Sequence, residues 1–473
     1  EEPEEPPATP EEPEEPPAPS IAWATDIAVA DVLLYQGSSV ALTPAGPTPL
    51  ADTDVPVVAG REALLRVMLT PDVGWAARPL RVEIEVEDDV GVTRFELEVT
   101  PYAASTDEDL ASSANFSLPG DVITPSATIT VALTEALSSR PGAPQPGAAR
   151  FPSSGVAPLQ AVENGGVVEV WFVPLVYSPD GSNRAPDTSP AQIELLRSTL
   201  ERQYPVSDVL VDVLSPVALA EPMAADGDGW TDALYQVSNL RDALAVPDDV
   251  YLYGLVQPAA DYGTYCRSGC VAGLSWVGLN AASSWTRASL GLGFTGARYA
   301  DTFAHEVGHA HGRQHSPCGG PANPDPDYPN GGGRLGTWGW DAVDVELVDP
   351  DTHGDLMSYC RPRWVSDYTF AALSDRIQEV NASSFVGALP GWPRSYSVLD
   401  VPAASAPSVR STLQLDRPPV GKTVTLELLD ERGRSLGTTP GTVQIFEHLN
   451  SAAILFEAGA ASALRFDGQV YGI

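Results

Sequence analysis

Four of the six histidines in this 473-residue chain lie within eleven consecutive residues. The segment is His305-Glu306-Val307-Gly308-His309-Ala310-His311-Gly312-Arg313-Gln314-His315, which has the pattern H-E-x-x-H-x-x-G-x-x-H. Histidines at i and i+4 leave the same face of a helix, so His305 and His309 can meet one metal ion. Gly312 permits the left-handed conformation that ends a helix, and the chain can then turn back to bring His315 to the same ion. The spacing predicts a zinc site with three protein ligands.

Three protein nitrogens would leave the fourth position of the zinc open to water. An open position distinguishes a catalytic zinc from a structural one, because the metal lowers the pKa of bound water to ~7. Glu306, beside the first ligand, is placed to take the proton of that water. The alternative is a packed or solvated histidine cluster without a metal, but every residue of the motif has a mechanical role. His311 fits neither ligand spacing, so we expect a surface histidine or one that supports a ligand.

The four cysteines allow three pairings. We predict Cys266 with Cys270, and Cys318 with Cys360, because any fold that closes the metal site would bring the latter two together there. A zinc–thiolate site is the alternative, but Cys266-Arg267-Ser268-Gly269-Cys270 has no matching partner pair. Disulfides imply an oxidising compartment and therefore export.

The charge of the chain limits its partners. The formal net charge at pH 7 is −37 and the isoelectric point is about 4.2. Nucleic acids and anionic membranes are also negative, so neither is expected as a partner. No apolar run in the sequence is long enough to predict a transmembrane segment.

The first twenty residues contain only Glu, Pro, Ala, Thr and Ser, from which no core can form. Proline favours extended polyproline II structure and like charges extend the chain further, so residues 1–20 are predicted to be a disordered acidic tether. The chain opens without a secretory signal, as a processed protein does. Such tethers commonly follow the membrane-anchoring residue of exported bacterial lipoproteins. We therefore expect an extracellular or outer-surface protein, anchored by lipid through a residue that precedes Glu1.

Changes in sequence pattern divide the rest of the chain. Residues 21–137 form short segments of alternating polarity and predict a β-sandwich-like domain. Proline and serine mark a linker over 138–165. Residues 166–392 alternate predicted strands and helices, which is typical of an α/β (α+β) domain with helices packed on a sheet. Residues 393–473 return to strands and predict a second β-sandwich-like domain, which binds substrate or glycan or only stabilises the protein.

Helix and strand signals are clear at several places in the chain. A first helix is predicted to open at Ser189 with Pro190 in its first turn, and a second is predicted over 230–244. Strands are predicted over 57–59, 80–86, 167–177, 208–213, 250–256, 423–429, 443–446 and 452–456.

Two further helices concern the site and its support. The histidine-bearing helix is predicted to have Asp301 or Thr302 as its N-cap and to run to about residue 310. A last helix, capped by Ser366 or Asp367, has apolar residues at spacings of three and four. This stripe predicts a face packed against the core.

Two acidic segments have the composition of calcium-binding loops: Asp226-Gly227-Asp228-Gly229 and Asp325-Pro326-Asp327. Neither completes the twelve-residue ligand pattern. Turns rich in Asp and Gly are common in acidic proteins, so an ordinary turn is the alternative to a structural Ca²⁺ site.

Together with a second motif, the histidine motif resembles that of the metzincin clan of zinc endopeptidases. Clan members carry a tight turn with a methionine beneath the metal, and Asp355-Leu356-Met357-Ser358-Tyr359-Cys360 is similar to this Met-turn. The resemblance implies that Met357 packs under the three imidazoles without taking part in the chemistry. In some branches a tyrosine two residues further approaches the zinc, which implies that Tyr359 is a fifth ligand or an oxyanion donor. A buried tyrosine with a satisfied hydroxyl is the alternative.

The resemblance covers about residues 166–389 and depends on these two segments. Ser316 departs from several branches, which have Asp after the third histidine. The run from Cys318 to Asp341 is similar to secreted bacterial proteases near the StcE-like mucin-cleaving group, which implies a glycoprotein substrate.

The implied reaction is hydrolysis of a peptide bond in a protein or glycoprotein. Glu306 would act as general base, while zinc and Tyr359 would stabilise the tetrahedral oxyanion. Such proteases bind substrate as an added strand at a sheet edge, and Gly273-Leu274-Ser275-Trp276-Val277 is the candidate segment. A plain edge strand of the core would have the same sequence pattern. A monomer is expected.

Two other functions are kept as alternatives. One is a catalytically inactive zinc-containing adhesin or glycan-binding surface protein, against which Glu306 argues, since a binding protein has no use for a base beside the first ligand. The other is zinc-dependent hydrolysis of a non-peptide substrate, which would use the same metal chemistry in a different groove.

Overall fold

The computed structural model of the chain describes residues 22–51, 53–136, 146–383, 389–402, 406–446, 448–449 and 451–473. The predicted tether and residues 138–145 of the predicted linker lie outside the described residues. The described part is a multi-sheet α+β structure, which is consistent with the multidomain prediction. Within these ranges, no helix combines the length and the apolar character needed to cross a membrane.

The described residues from 27 to 158 form strands β1 (Ile27–Tyr35), β2 (Ser39–Thr43), β3 (Gly46–Pro49), β4 (Ala63–Pro71), β5 (Leu80–Glu87), β6 (Val92–Val99), β7 (Ala114–Leu118), β8 (Thr128–Glu135), β9 (Arg150–Phe151) and β10 (Ala157–Pro158). One sheet has the order β3-β2-β1-β4-β7, and the other has β10-β8-β5-β6 with β9 paired to β8. Successive residues of a strand point to opposite faces, so Val82 and Ile84 of β5 are buried while Glu83 between them is partly exposed. Both side chains share one apolar cluster with Leu65 and Val67 of the other sheet.

Two parts of this region differ from the sequence-based expectation. Residues 150–158, placed in the linker, contribute β9 and β10, which both pair antiparallel with β8. Residues 57–59, expected to be a strand, form only an isolated bridge between Val58 and Val162. Both differences depend on which strand lies alongside, and a short extended run does not encode its partner.

The central region contains strands β11 (Val167–Tyr177), β12 (Asp208–Val213), β13 (Val217–Leu219), β14 (Tyr251–Val256), β15 (Gly273–Ser275), β16 (Ala288–Leu292), β17 (Gly339–Asp341), β18 (Glu346–Val348), β19 (Gly354–Asp355) and β20 (Arg363–Trp364), and helices α1 (Pro190–Gln203), α2 (Trp230–Ala243), α3 (Tyr262–Tyr265), α4 (Ala297–Ala310) and α5 (Asp367–Ser383). Its main sheet has the order β12-β11-β14-β16-β15, with β13 also paired to β11. The pairings are parallel except that β15 runs antiparallel to β16 at the end of the order.

The predicted helix caps are confirmed at two helices. The hydroxyl of Ser189 accepts a hydrogen bond from the Gln192 amide at the start of α1, with Pro190 in the first turn. The hydroxyl of Ser366 accepts one from the Thr369 amide at the start of α5. The predicted apolar stripe of α5 is also buried, and it consists of Phe370, Leu373, Ile377 and Val380.

The predicted start of the histidine-bearing helix is wrong. Helix α4 begins at Ala297, after Gly296, whose φ is +123°. Thr302 does not cap the helix, because its hydroxyl donates to the Arg298 carbonyl inside the first turns. Asp301 instead forms an ion pair with Arg361. The Gly296 amide donates to the side chain of Gln192 on α1. This contact joins segments far apart in sequence, so the local sequence pattern does not predict it.

The C-terminal region forms strands β21 (Arg394–Val401), β22 (Ser408–Leu415), β23 (Lys422–Leu429), β24 (Ser435–Phe446), β25 (Ser451–Phe456), β26 (Ala463–Phe466) and β27 (Gln469–Gly472). They make one hydrogen-bonded antiparallel sheet in the order β22-β21-β25-β24-β23-β26-β27.

The C-terminal sheet is docked on the central region through a buried aromatic contact. Phe446, at the end of β24, lies 5.1 Å from Trp276 and 6.5 Å from Tyr235 of α2 between ring centroids. All three side chains are nearly inaccessible to solvent. Asp400 of β21 accepts hydrogen bonds from Tyr235 and, at 2.9 Å, from Thr231. This contact, here called the aromatic junction, holds the end of β24, next to the hairpin between β24 and β25, against Trp276 and α2.

Candidate metal centre

Helix α4 presents His305 and His309 on one face, one turn apart. Their ring centroids are 4.8 Å apart, and both rings are buried. The helix is buried along most of its length because Phe303, Ala304 and Val307 pack into the main apolar cluster. Packing on this side sets the direction in which the two imidazoles point.

Gly312 turns the chain after α4 as the sequence predicts. Its φ is +85°, and the amides of Gly312 and Arg313 donate to the carbonyls of His309 and Gly308, which closes the helix end. A Cβ at position 312 would also lie 2.6 Å from the Gly278 carbonyl oxygen. Glycine is therefore required both for the backbone conformation and for the close approach.

The turn brings His315 to the two helical histidines. The Nε2 atoms of His309 and His315 are 3.2 Å apart, and the ring centroid of His315 is 4.6 Å from that of His309 and 5.2 Å from that of His305. Two nitrogens that bind one tetrahedral zinc at ~2.05 Å lie roughly 3.3 Å from each other. The three imidazoles predicted from the motif are thus assembled at a spacing that suits one ion.

The Nδ1 atoms of the helical histidines are held by backbone carbonyls. His305 Nδ1 lies 2.8 Å from the Leu356 oxygen, and His309 Nδ1 lies 2.6 Å from the Arg313 oxygen. A carbonyl only accepts, so these bonds assign the proton to Nδ1 and leave Nε2 with a lone pair. Arg363 Nη1 also approaches His305 Nδ1, at 3.2 Å, but the Leu356 contact is the shorter.

The chemical state of the imidazoles suits a metal. Burial lowers the pKa of His305 well below its usual 6.5, and burial together with His448 lowers the pKa of His315 to about 3. Both rings are therefore neutral at physiological pH, which is the form that binds zinc. His305 Nε2 is buried and has no hydrogen-bond partner among the described residues. These donors fit a zinc ion.

Residues 355–360, which resemble a Met-turn and are given that name here, lie beneath the histidine helix. Met357 is buried, and a Cβ at Gly308 would lie 2.6 Å from its sulfur, so the methionine packs against α4 between the two helical histidines. The turn is fixed by Asp355, whose carboxylate accepts hydrogen bonds from the Met357 and Ser366 amides at 2.8 and 3.1 Å.

The disulfides pair as predicted, Cys266 with Cys270 and Cys318 with Cys360. The second bond joins the segment after His315 to the Met-turn. Two backbone hydrogen bonds run parallel to it, from the Ser316 amide to the Met357 carbonyl and from the Tyr359 amide to the Cys318 carbonyl, each 3.1 Å. The loop of the third histidine and the Met-turn therefore form one cross-linked unit.

A cleft of about 810 Å³ is lined by His305 and His448. Glu306 lines it with His305, although its side chain is only 1% exposed. A Cβ at Gly273 would lie 2.3 Å from Glu306 Oε1, so the carboxylate packs against the backbone of β15.

The segment predicted as the substrate edge strand is only partly a strand. Gly273, Leu274 and Ser275 form β15, at the end of the sheet order and beside Glu306. Trp276 and Val277 follow the strand, and the Trp276 ring is buried in the aromatic junction. Binding of substrate along β15 stays a prediction.

Tyr359 lies at the rim of the cleft and is 40% exposed, so it is not the buried tyrosine of the alternative interpretation. Its ring centroid is 4.7 Å from that of His315. Its hydroxyl lies 2.8 Å from Nδ1 of His448, a residue that the sequence does not single out.

His448, in the hairpin between β24 and β25, completes a group of four histidines. One ligand atom from each of His305, His309, His315 and His448 lies within 4.8 Å of every other. His448 Nε2 is 3.2 Å from Glu306 Oε1. No local motif surrounds His448, and the residue reaches the site only because the C-terminal sheet docks there.

Two other predictions concern residues outside this group. His311 is buried rather than on the surface: its ring stacks on Tyr251 at 4.4 Å, and its Nδ1 lies 2.8 Å from the Val307 carbonyl. Across the described residues, the four histidines are the one group of three or more His, Cys, Asp or Glu side chains positioned to hold a metal.

The acidic segments therefore gain no support as calcium sites. Asp325 accepts hydrogen bonds from Tyr368 at 3.0 Å and from Arg313 at 3.4 Å, and Asp226 accepts one from the Asp228 amide at 3.4 Å.

Comparison with known proteins adds one informative match. The family model described as Peptidase M66 matches residues 276–362, which include α4, His315 and the Met-turn. The match supports a metalloprotease family. No curated protein matches the chain. One solved structure, titled "Structure of a chaperone-substrate complex", aligns with 57% of this chain and 39% of its own at 11% identity and a TM-score of 0.26, a similarity too low to bear on the fold.

Proposed function

We propose that the protein is a secreted or surface-anchored zinc endopeptidase of the metzincin type. The observation that carries the proposal is the convergence of three buried imidazoles beside a buried glutamate that lines the cleft. The Peptidase M66 match over the same residues supports peptide hydrolysis.

His305, His309 and His315 would hold the ion through their Nε2 atoms. A bound zinc ion would polarise the scissile carbonyl and acidify the attacking water. The protein fixes the ligand rings through the Leu356 and Arg313 carbonyls, and Met357 forms the floor beneath them. Ligands held in this way need little rearrangement during the reaction.

Glu306 is the proposed general base. It takes the proton of the attacking water and later delivers it to the leaving nitrogen. Its carboxylate lines the cleft between β15 and the histidines, so a carbonyl bound along β15 would face it. Tyr359, at the rim, is the proposed donor to the oxyanion when its hydroxyl turns into the cleft.

The substrate is proposed to be a protein or glycoprotein that binds as an extended strand along β15. Main-chain pairing would supply affinity with little sequence preference. The two disulfides support an oxidising location outside the cell.

The position of His448 favours one alternative, an inactive zinc-containing surface protein. Four imidazoles around one ion would close the site in the way that structural zinc sites are closed. This alternative gives Glu306 no task, although the carboxylate is buried at the site.

The test measures cleavage of a panel of proteins, each glycosylated and enzymatically deglycosylated. The assay uses the wild-type chain and His448→Ala, each with and without Glu306→Gln. Glu346→Gln, at the exposed first residue of β18, is the control. The proposal expects cleavage that Glu306→Gln abolishes and Glu346→Gln leaves intact. Cleavage that survives Glu306→Gln would remove the mechanism, and cleavage lost only after deglycosylation would establish that glycans are read.

A further inference from the structure

We propose that His448 is a fourth ligand of the metal, and that the C-terminal sheet thereby keeps the peptidase latent. This inference rests on the proposed function, because it concerns regulation of the same site. His448 lies outside the histidine motif and reaches the site from the C-terminal sheet.

The four imidazole rings surround a common point, and the distances between their ring centroids are nearly equal. The ring centroids of the three motif histidines are separated by 4.6, 4.8 and 5.2 Å. Those between His448 and the same three rings are 4.7, 5.1 and 5.4 Å. A residue that only lined the cleft would be nearer to one ring than to the others. The near-equal separations place His448 at the fourth corner of a tetrahedron.

The nitrogen contacts of His448 follow the pattern of the two ligands on α4. Its Nδ1 contacts the hydroxyl of Tyr359, as Nδ1 of His305 and His309 contact carbonyls. Its Nε2 is thereby directed toward the glutamate and the three rings. An oxygen partner on Nδ1 is the usual way in which a protein orients an imidazole for metal binding through Nε2.

The imidazole also takes the position where the reaction needs water. A general base must lie within hydrogen-bond distance of the water that it deprotonates. Glu306 Oε1 instead lies 3.2 Å from His448 Nε2. A ligand from His448 and a water beside Glu306 would require the same space, so hydrolysis requires His448 to leave.

The hairpin is held on both sides of His448. Phe446, two residues earlier, is buried in the aromatic junction. Leu449, the residue after His448, packs against the loop that precedes α2. A Cβ at Gly227 in that loop would lie 2.5 Å from Cδ2 of Leu449. The Leu449 amide donates to the Phe446 carbonyl at 3.2 Å, which closes the turn. These contacts belong to the docked sheet, so the approach of His448 is part of the domain packing.

The test determines the coordination of zinc by X-ray absorption at the zinc edge. It compares the wild type with His448→Ala and His448→Phe, the latter keeping a ring without a ligand nitrogen, and with His353→Ala as a control outside the cluster. We expect four nitrogen ligands in the wild type and His353→Ala, and three nitrogens with one oxygen in both His448 variants. Three nitrogens and one oxygen in the wild type would overturn the proposal.

A second measurement uses acetohydroxamate, which needs an open metal. The Co²⁺-substituted proteins are titrated and the visible absorption bands followed. We expect at least about tenfold tighter binding to His448→Ala than to the wild type. Equal affinities would overturn the proposal.

Activity distinguishes latency from catalysis by His448. We expect peptide hydrolysis to rise about tenfold or more in His448→Ala. A fall in the hydrolysis rate of His448→Ala would instead indicate that His448 donates to the oxyanion, and it would overturn the proposal that His448 keeps the peptidase latent. Failure of the proposed function is separate: it would appear as a wild type that binds no zinc, or as an absence of peptide hydrolysis from both the wild type and His448→Ala although both bind zinc.

Discussion

The carboxylate of Glu306 packs against the backbone of Gly273, on the strand that borders the cleft, with no room for a side chain between them. A methyl group at position 273 would lie 2.3 Å from Oε1. The position of the proposed base is thus set by the absence of a side chain on the neighbouring strand.

We predict that Gly273→Ala displaces Glu306 and lowers kcat by about 100-fold, because a shift of about 1 Å in a reacting group has that effect. The measurement is peptide hydrolysis in the His448→Ala background. Gly472→Ala is the control, since a Cβ there meets no atom within 4 Å. Zinc content should stay unchanged in both variants, and undiminished kcat in Gly273→Ala would contradict the assigned role of Glu306.

Metal removal should lower thermal stability in a ligand-dependent way. A zinc ion that binds only the folded state stabilises it, so chelation should lower Tm, and added zinc should restore it. His315→Ala should bind zinc weakly and show little change on chelation, whereas His353→Ala should behave as the wild type. A Tm that chelation does not alter would mean that no ion occupies the site. Scanning calorimetry with and without chelator measures the change in Tm.

Met357 is predicted to act by packing alone. Met357→Ala should reduce the free energy of unfolding by about 2–5 kcal/mol, because it leaves a cavity under α4. Met357→Leu should cost less than about 1.5 kcal/mol and retain a full complement of zinc. Urea unfolding and elemental analysis are the measurements. Loss of zinc from a stable Met357→Leu protein would show that the sulfur matters beyond its volume.

The two disulfides should contribute unequally to stability. The chain between Cys318 and Cys360 spans 42 positions and that between Cys266 and Cys270 spans 4, so the first closes the larger loop. The chain-entropy argument gives about 3–5 kcal/mol for the first and about 2 kcal/mol for the second. Paired Cys→Ser variants compared by urea unfolding test the order, and an equal or reversed loss would contradict it.

Phe446 should control whether the metal is accessible. Phe446→Ala removes the aromatic ring that packs on Trp276, so His448 should be held less firmly and acetohydroxamate should bind more tightly to the Co²⁺-substituted protein. Ile445→Ala is the control, because the neighbouring Ile445 side chain is 52% exposed. Unchanged binding in a folded Phe446→Ala protein would mean that the aromatic junction does not position His448.

The sequence predicts those parts of the structure that depend on local pattern. β11 matches its predicted bounds because a buried parallel strand is a nearly continuous apolar run, interrupted here only by Glu169. The geometry of His305 and His309 follows from helical periodicity, and the arrival of His315 follows from Gly312.

What the sequence does not predict depends on distant contacts. The start of α4 is set partly by Gln192, and β9 and β10 are strands only because β8 lies beside them. His448 lies in a hairpin whose sequence carries no metal-binding pattern, and its place at the site follows from domain docking.

Docking through the aromatic junction links accessibility of the metal to solubility. A shortened chain without the C-terminal sheet would lack His448 but would expose the faces of Trp276 and Tyr235 that Phe446 covers. Large exposed apolar patches promote self-association. An open enzyme obtained by truncation would therefore be prone to aggregate. Substitution of His448 alone would instead open one coordination position of the ion and leave Trp276 and Tyr235 covered by Phe446.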